Sequence, residues 1–269
     1  MTTITAAPHQ PGGLYLAGAR PSLVHRLPAQ VKVVAAFVLV GSGVAIPASA
    51  LSGAGAGVRW LALAGILVLA LTVVGFARLR PRQVLSRMVV EVPFVIFALA
   101  MPLVAAGPRI EVGGVWLSQA GLIGAGALLL KVTTGVLVGI VLAATTTPHE
   151  LLDGLRRLRL PAVIIGITSF MIRYASVVID DVRRMRTARE ARGYTGGRRG
   201  HLRYEAAGVG TLFIRSFERG ERVHRAMLAR GYQGELPSLN DSAASPGQWL
   251  TALAIPSLAV VICLLARIG

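Results

Sequence analysis

Ala-Arg-Gly-Tyr occurs twice in this chain of 269 residues, as Ala191, Arg192, Gly193, Tyr194 and as Ala229, Arg230, Gly231, Tyr232. Each tetrapeptide closes a longer segment. RRMRTAREARGYTG (183–196) aligns without gaps on ERVHRAMLARGYQG (221–234), matching at 7 of 14 positions with an offset of 38. Every residue type in the ending has a physical use. Arg in a last helical turn favours the negative helix pole and offers a rigid fork to a carboxylate or to carbonyls. Gly supplies the left-handed cap that stops a helix, and Ala lets the helix approach another surface closely. One Ala-Arg-Gly alone is a common helix stop in a chain rich in Arg and Ala. The doubled fourteen-residue match points instead to a duplicated docking element, suited to two equivalent grooves on a pair of related subunits.

Other chemistry is poorly supplied. Cys263 is the one cysteine, which excludes an intrachain disulfide and a CxxC site. His9, His25, His149, His201 and His224 are scattered without paired-ligand spacing, so no metal site is expected. No G-x-x-x-x-G-K-[S/T] is present, and GYTGGRRG (193–200) lacks both the preceding strand and the Lys, so it is expected to be a turn. No cofactor and no catalytic triad are implied. The Arg clusters lack the zinc spacing, RNP string or helix-turn-helix of a nucleic-acid reader, whereas juxtamembrane Arg suits anionic lipid.

The elements that must hold the two endings are apolar. The chain is 54% hydrophobic and 15% charged, with a formal net charge of +16 and a mean hydropathy of +0.65. A soluble domain carries about 25% charge, so a polytopic membrane protein with a basic inner face is expected. Spanning about 30 Å of hydrocarbon takes about 20 apolar residues. Five segments qualify: 31–50, 59–76, 88–106, 117–144 and 249–266. Gly41, Gly43 and Pro47 make the first a soft or broken helix, and Lys32 is placed to snorkel at its start. Pro93 and Pro102 are expected kinks in the third. Glu91 and Lys131 are the charges at membrane depth, with snorkelling or an internal ion pair favoured over a polar path.

Charge sets the orientation. The linker 77–87 holds Arg78, Arg80, Arg82 and Arg87 with no acid, which places it inside together with 145–159. The stretch 180–235 carries 13 Arg and is also expected inside. Two inner segments cannot flank a single crossing, so 160–179, with Arg173 in its middle, is expected to lie shallowly instead of spanning. The resulting division is a flexible leader over 1–30, a four-helix membrane region over 31–144, a cytoplasmic region over 145–247 and a last span over 248–269. Within the cytoplasmic region, Val178, Val182, Met185 and Ala188 make one apolar stripe. Phe213, Phe217, Val223 and Met227 make a second.

These residues resemble a known family. The doubled endings at 191–193 and 229–231, the phrase FIRSFERGERVHRAMLARGYQGELP (213–237), TTTPHELLDGLRRLRLP (145–161) and, more weakly, SLVHRLPAQVK (22–32) are similar to the T component of energy-coupling factor transporters, CbiQ/EcfT, and most to the cobalt-transport CbiQ type. The resemblance implies an all-α membrane bundle with long amphipathic cytoplasmic coupling helices. It also implies a non-catalytic scaffold, with ATP hydrolysed on two partner ATPases that are CbiO-like or EcfA-like. By that match Ala191, Arg192, Gly193, Ala229, Arg230 and Gly231 couple to the ATPases. The membrane helices would hold an S component, CbiM-like and assisted by a small CbiN-like subunit, that releases cobalt. From the residues alone, an ion-coupled secondary transporter or channel with a basic regulatory region is the alternative.

Overall fold

The computed structural model describes residues 22, 24–53, 55–112, 115–193, 198–234 and 244–268. Most of the 1–30 leader, and Tyr194, lie outside the described residues. The described residues divide into two compact units, one within Leu158–Asp241 and one within Leu14–Arg157 and Ser242–Gly269.

The larger unit is a helical bundle: α1 (Ala29–Val44), α2 (Ala56–Phe76), α3 (Pro81–Arg87), α4 (Val92–Val104), α5 (Gln119–Thr145), α6 (Pro148–Arg157) and α9 (Pro246–Ile268). A short antiparallel hairpin, β1 (Arg109–Val112) and β2 (Val115–Ser118), links α4 to α5, with Ile110 opposite Leu117. This hairpin is an addition to the all-α expectation. The smaller unit contributes α7 (Ala162–Ala191) and α8 (Arg198–Ala229). The protein is therefore an all-α polytopic bundle. Among the described residues five helices are long and apolar enough to cross a membrane: Ala56–Phe76, Pro81–Val104, Gln119–Thr145, Ala162–Ala191 and Pro246–Ile268.

That set differs from the sequence expectation in two members. α1 stops at Val44, and a 3-10 turn follows Pro47 over Ala48–Leu51. Its 16 residues rise about 24 Å, short of the hydrocarbon thickness: the helix runs through Gly41 and Gly43 and stops just ahead of Pro47. α7 enters the set by length and composition, and the window that qualifies it has none of its residues buried.

Small residues let the bundle close. Ala62, Ala70, Ala127, Ala259 and Ala266 are buried among Leu39, Ile46, Leu51, Leu63, Ile66 and Leu137, the pattern by which membrane helices approach without a hydrophobic drive between them. Phe37, Leu61, Ile96, Phe97 and Ile268 stand exposed on the outside, where lipid tails are the matching solvent. At the tightest approach, a Cβ on Gly121 of α5 would fall 2.6 Å from the Pro102 Cα and 2.7 Å from the Met101 carbonyl oxygen of α4. Backbone cannot yield as a side chain can. Gly121→Val is expected to destabilise the bundle by about 1–3 kcal/mol, read as a melting temperature several degrees lower in detergent. An unchanged melting temperature would refute the close α4–α5 contact.

The membrane-depth charges sit differently from expectation. Lys32 does not snorkel. It is buried at the start of α1, and its Nζ donates to the Thr145 carbonyl at 2.8 Å and to the His25 carbonyl at 3.4 Å. Glu91 and Lys131 do not pair with each other. Glu91 is buried and accepts from the Thr133 hydroxyl. Lys131 Nζ donates to Ile46 O at 2.5 Å and Val44 O at 3.5 Å, carbonyls freed where α1 breaks. Arg267 reaches Ala45 O at 3.0 Å and Arg59 reaches Ala50 O at 2.9 Å in the same segment. Three cations thus serve the broken backbone, which hydrocarbon would leave unsatisfied. Pro93 lies in the first turn of α4, where its missing N–H costs nothing, and Pro102 lies inside the helix.

At the other end of α1, α6 opens on a reciprocal cap. Thr147 N–H donates to Glu150 Oε2 at 2.9 Å, and Glu150 N–H donates to Thr147 Oγ1 at 3.0 Å. Gly154 of α6 sits against the Ala29–Gln30 backbone, where a Cβ would fall 2.7 Å from Gln30 N. Beside this corner, burial holds the His25 imidazole below its usual pKa, with the Lys32 charge adding to the shift and Glu150 opposing it.

Candidate coupling helices

α7 and α8 carry the duplicated endings, and their backbones end in the same way. On α7, Arg192 N–H donates to Arg189 O at 3.1 Å and Gly193 N–H to Glu190 O at 3.0 Å. On α8, Arg230 N–H donates to Met227 O and Gly231 N–H to Leu228 O, both at 3.0 Å. Each bond maps onto its counterpart by the offset of 38. Gly193 has φ +73° and Gly231 has φ +82°, the left-handed region that favours glycine. On α8, Tyr232 N–H also donates to Met227 O at 3.0 Å, which completes a Schellman cap. The Tyr232 hydroxyl donates to Gly234 O at 3.0 Å.

The two arginines differ from their neighbours in what they touch. Arg186 pairs with Glu190 at 3.0 Å, Arg222 with Glu218 at 3.8 Å and Arg183 with Asp180 at 3.6 Å, all within one helix. Arg192 and Arg230 are exposed and make no ion pair with a carboxylate among the described residues. Ala191, Gly193, Ala229 and Gly231 are exposed beside them. Each ending is a capped helix terminus with a guanidinium available to an outside acceptor.

The half-buried positions of the two helices are equivalent. From residue 178 onward, the side chains of α7 shielded from solvent are Val178, Asp181, Met185 and Arg189. Shifted by 38 these positions become Ser216, Arg219, Val223 and Met227, which are the shielded residues on α8 beyond Leu212. Arg219 and Asp181 form an ion pair at 2.9 Å across the two helices. Arg189 of α7 lies against Gly208 of α8. Between those two contacts α7 runs forward while α8 runs backward, so the helices are antiparallel and their C-terminal endings lie at opposite ends of the pair.

The structure departs from part of the expected striping. Val178 and Met185 are half-buried, but Val182 is 45% exposed and Ala188 is exposed as well. On α8, Val223 and Met227 are half-buried, whereas Phe213 and Phe217 are 70% and 66% exposed. Those two rings stack on each other at 6.5 Å on a different face. Asp181 and Arg219 lie two residues ahead of the aligned segments and, as equivalent positions of opposite charge, share no identity that would extend the repeat to them.

The family described as CbiQ, cobalt transport protein, matches residues 21–239, most of the chain and both endings. The chain belongs to the CbiQ family. It is 32% identical over 185 residues to the cobalt transport protein CbiQ of Rhodobacter capsulatus, covering 68% of this chain and 74% of that one. It is 28% identical over 237 residues to the energy-coupling factor transporter transmembrane protein EcfT of Bacillus subtilis, covering 82% and 84%. An EcfT of Listeria monocytogenes is 25% identical over 229 residues, covering 79% and 81%. The chain is thus a transmembrane component of the energy-coupling factor type and a multi-pass inner-membrane protein. Among the described residues, no three His, Cys, Asp or Glu gather as a metal site.

Proposed function

We propose that this chain is the non-catalytic scaffold of an importer, passing ATP-driven motion from two partner ATPases to a substrate-capturing S component. One observation carries the reading: the same capped, exposed Arg-Gly ending occurs at both ends of an antiparallel helix pair. Each end offers a guanidinium to one groove, and two like subunits would supply two like grooves. Ala191 and Ala229 allow close approach, Gly193 and Gly231 end the helices, and Arg192 and Arg230 make the contact. α7 lies at the inner face in this reading, supported by the 13 Arg over 180–235 and by Arg173 within its apolar half. The membrane region over 31–144 with the last helix holds the S component, CbiM-like with a small CbiN-like subunit. The ATPases are CbiO-like or EcfA-like, and lipid meets the remaining basic face.

Cobalt as the cargo is supported by the description of the matched family and by the name of the Rhodobacter relative. The test is reconstitution in proteoliposomes with two ATPases and an S component. ATP-dependent accumulation of cobalt, measured by elemental analysis, is the expected result, with no accumulation by this chain alone. Movement of metal by the isolated chain would make it a transporter in its own right and overturn the scaffold reading.

A further inference from the structure

The repeat and the packing meet at one point. Asp181 and Arg219 are equivalent positions, 38 residues apart, and they are also each other's partners at 2.9 Å. In an assembly related by a twofold axis, a residue that touches its own counterpart lies on the axis. The flanking shielded residues are equivalent by the same offset of 38, Val178 to Ser216 and Met185 to Val223, so the half-buried positions repeat on both sides of the ion pair. The pair is also unlike the other ion pairs of these helices. Its side chains are 30% and 16% exposed, against 50% or more for every partner in the i,i+3 and i,i+4 pairs. A shielded pair of opposite charges discriminates against wrong registers, because sliding either helix by a turn would leave a charge without its partner.

The arms from this point are equal. Arg192 lies eleven residues beyond Asp181, and Arg230 lies eleven residues beyond Arg219. At the helical rise each arm is about 16 Å long, and the arms point in opposite senses because the helices are antiparallel.

We propose that the Asp181–Arg219 ion pair is the pivot of the crossed helices, fixing their register so that both Arg-Gly endings stand equally far from one pseudo-twofold centre. The partner it fits is a symmetric pair of subunits, whose two grooves must be met at one separation. Asp181 and Arg219 are positioning residues: they touch no partner and act through the endings. This inference rests on the docking role proposed above, and the test separates the two.

Spin labels at Thr187→Cys and Arg225→Cys, an equivalent and exposed pair, report the distance between the arms in a Cys263→Ala background. The full chain is reconstituted with its ATPases and S component, and the distance distribution and ATP-driven uptake are both measured. Asp181→Arg alone and Arg219→Asp alone are expected to broaden or shift the distribution and to lower uptake by about tenfold each. The double reversal, which restores an opposite-charge pair, is expected to return the narrow distance and uptake within about threefold of the starting protein. Asp181→Asn and Arg219→Gln, which remove the charge without opposing it, should fall between and remain readable where a reversal fails to insert. A narrow, unchanged distance in the single variants would overturn the pivot. So would a double reversal whose loss equals the product of the singles. If Arg192→Ala with Arg230→Ala leaves uptake intact, the docking role fails, while the distance measurement still decides the pivot.

Discussion

Replacing Arg192 and Arg230 together by Ala is expected to abolish ATP-coupled uptake while the protein stays at its normal level in the membrane. Both side chains are exposed, and surface truncations away from caps and cores scarcely change stability. The caps themselves are made by backbone N–H groups, Arg192 to Arg189 and Gly193 to Glu190 on one helix, with the same pattern on the other. Losing the guanidinium therefore removes the outward contact and leaves the helix ending in place. A buried charge-assisted contact at an interface costs about tenfold or more when truncated, so two should lower coupled turnover by about a hundredfold or more. Each single variant is expected to be intermediate, since one arm still engages. Lys is expected to rescue only weakly, because its ammonium lacks the planar fork. Uptake is read with labelled metal, and assembly by co-purification of the ATPases. A double variant with normal uptake and normal assembly would remove the docking role from these residues.

What the sequence made visible, and what it concealed, follows from range. The end of α1 was visible because Pro47 acts on its own backbone, whereas Gly41 and Gly43 stay within the helix. The endings at 191–193 and 229–231 were visible because caps are local and repetition is countable. The partners of Lys32 and Lys131 were hidden. Thr145 is 113 residues from Lys32, and Ile46 is 85 residues from Lys131. No periodicity encodes such distances, so the general rule of snorkelling filled the gap and failed. Phe213 and Phe217 were misplaced for another reason. α8 has two apolar faces, and period alone does not say which one takes the partner helix. The β1–β2 hairpin had a signal, Gly113 and Gly114 between IEV and VWL. That signal is obscured because Val115–Leu117 abuts a long apolar run.

The glycines of the endings give the second large effect, and their neighbourhood isolates its cause. Nothing lies within 4 Å of a Cβ built on Gly193 or Gly231, so a side chain there meets no steric obstacle within the chain. Only the backbone objects: φ is +73° and +82°, which costs an L-residue about 1–2 kcal/mol. A β-branched residue is the worst case and Asn among the best tolerated. Gly231→Val is therefore expected to undo the cap. The helix then continues past Arg230, the Gly231 and Tyr232 N–H bonds to Leu228 O and Met227 O are lost, and the guanidinium turns away from its acceptor. Co-purification of the ATPases should fall about tenfold, matching a cost of about 1.4 kcal/mol. Gly231→Asn should stay within about twofold, because Asn accepts the left-handed conformation. The same ranking is expected at Gly193, where the bond to Glu190 O plays the equivalent part. Equal losses for Val and Asn would mean that bulk at the docking surface matters, and not the cap. Full binding with Val at both positions would mean that neither terminus is held in this geometry when the arms engage.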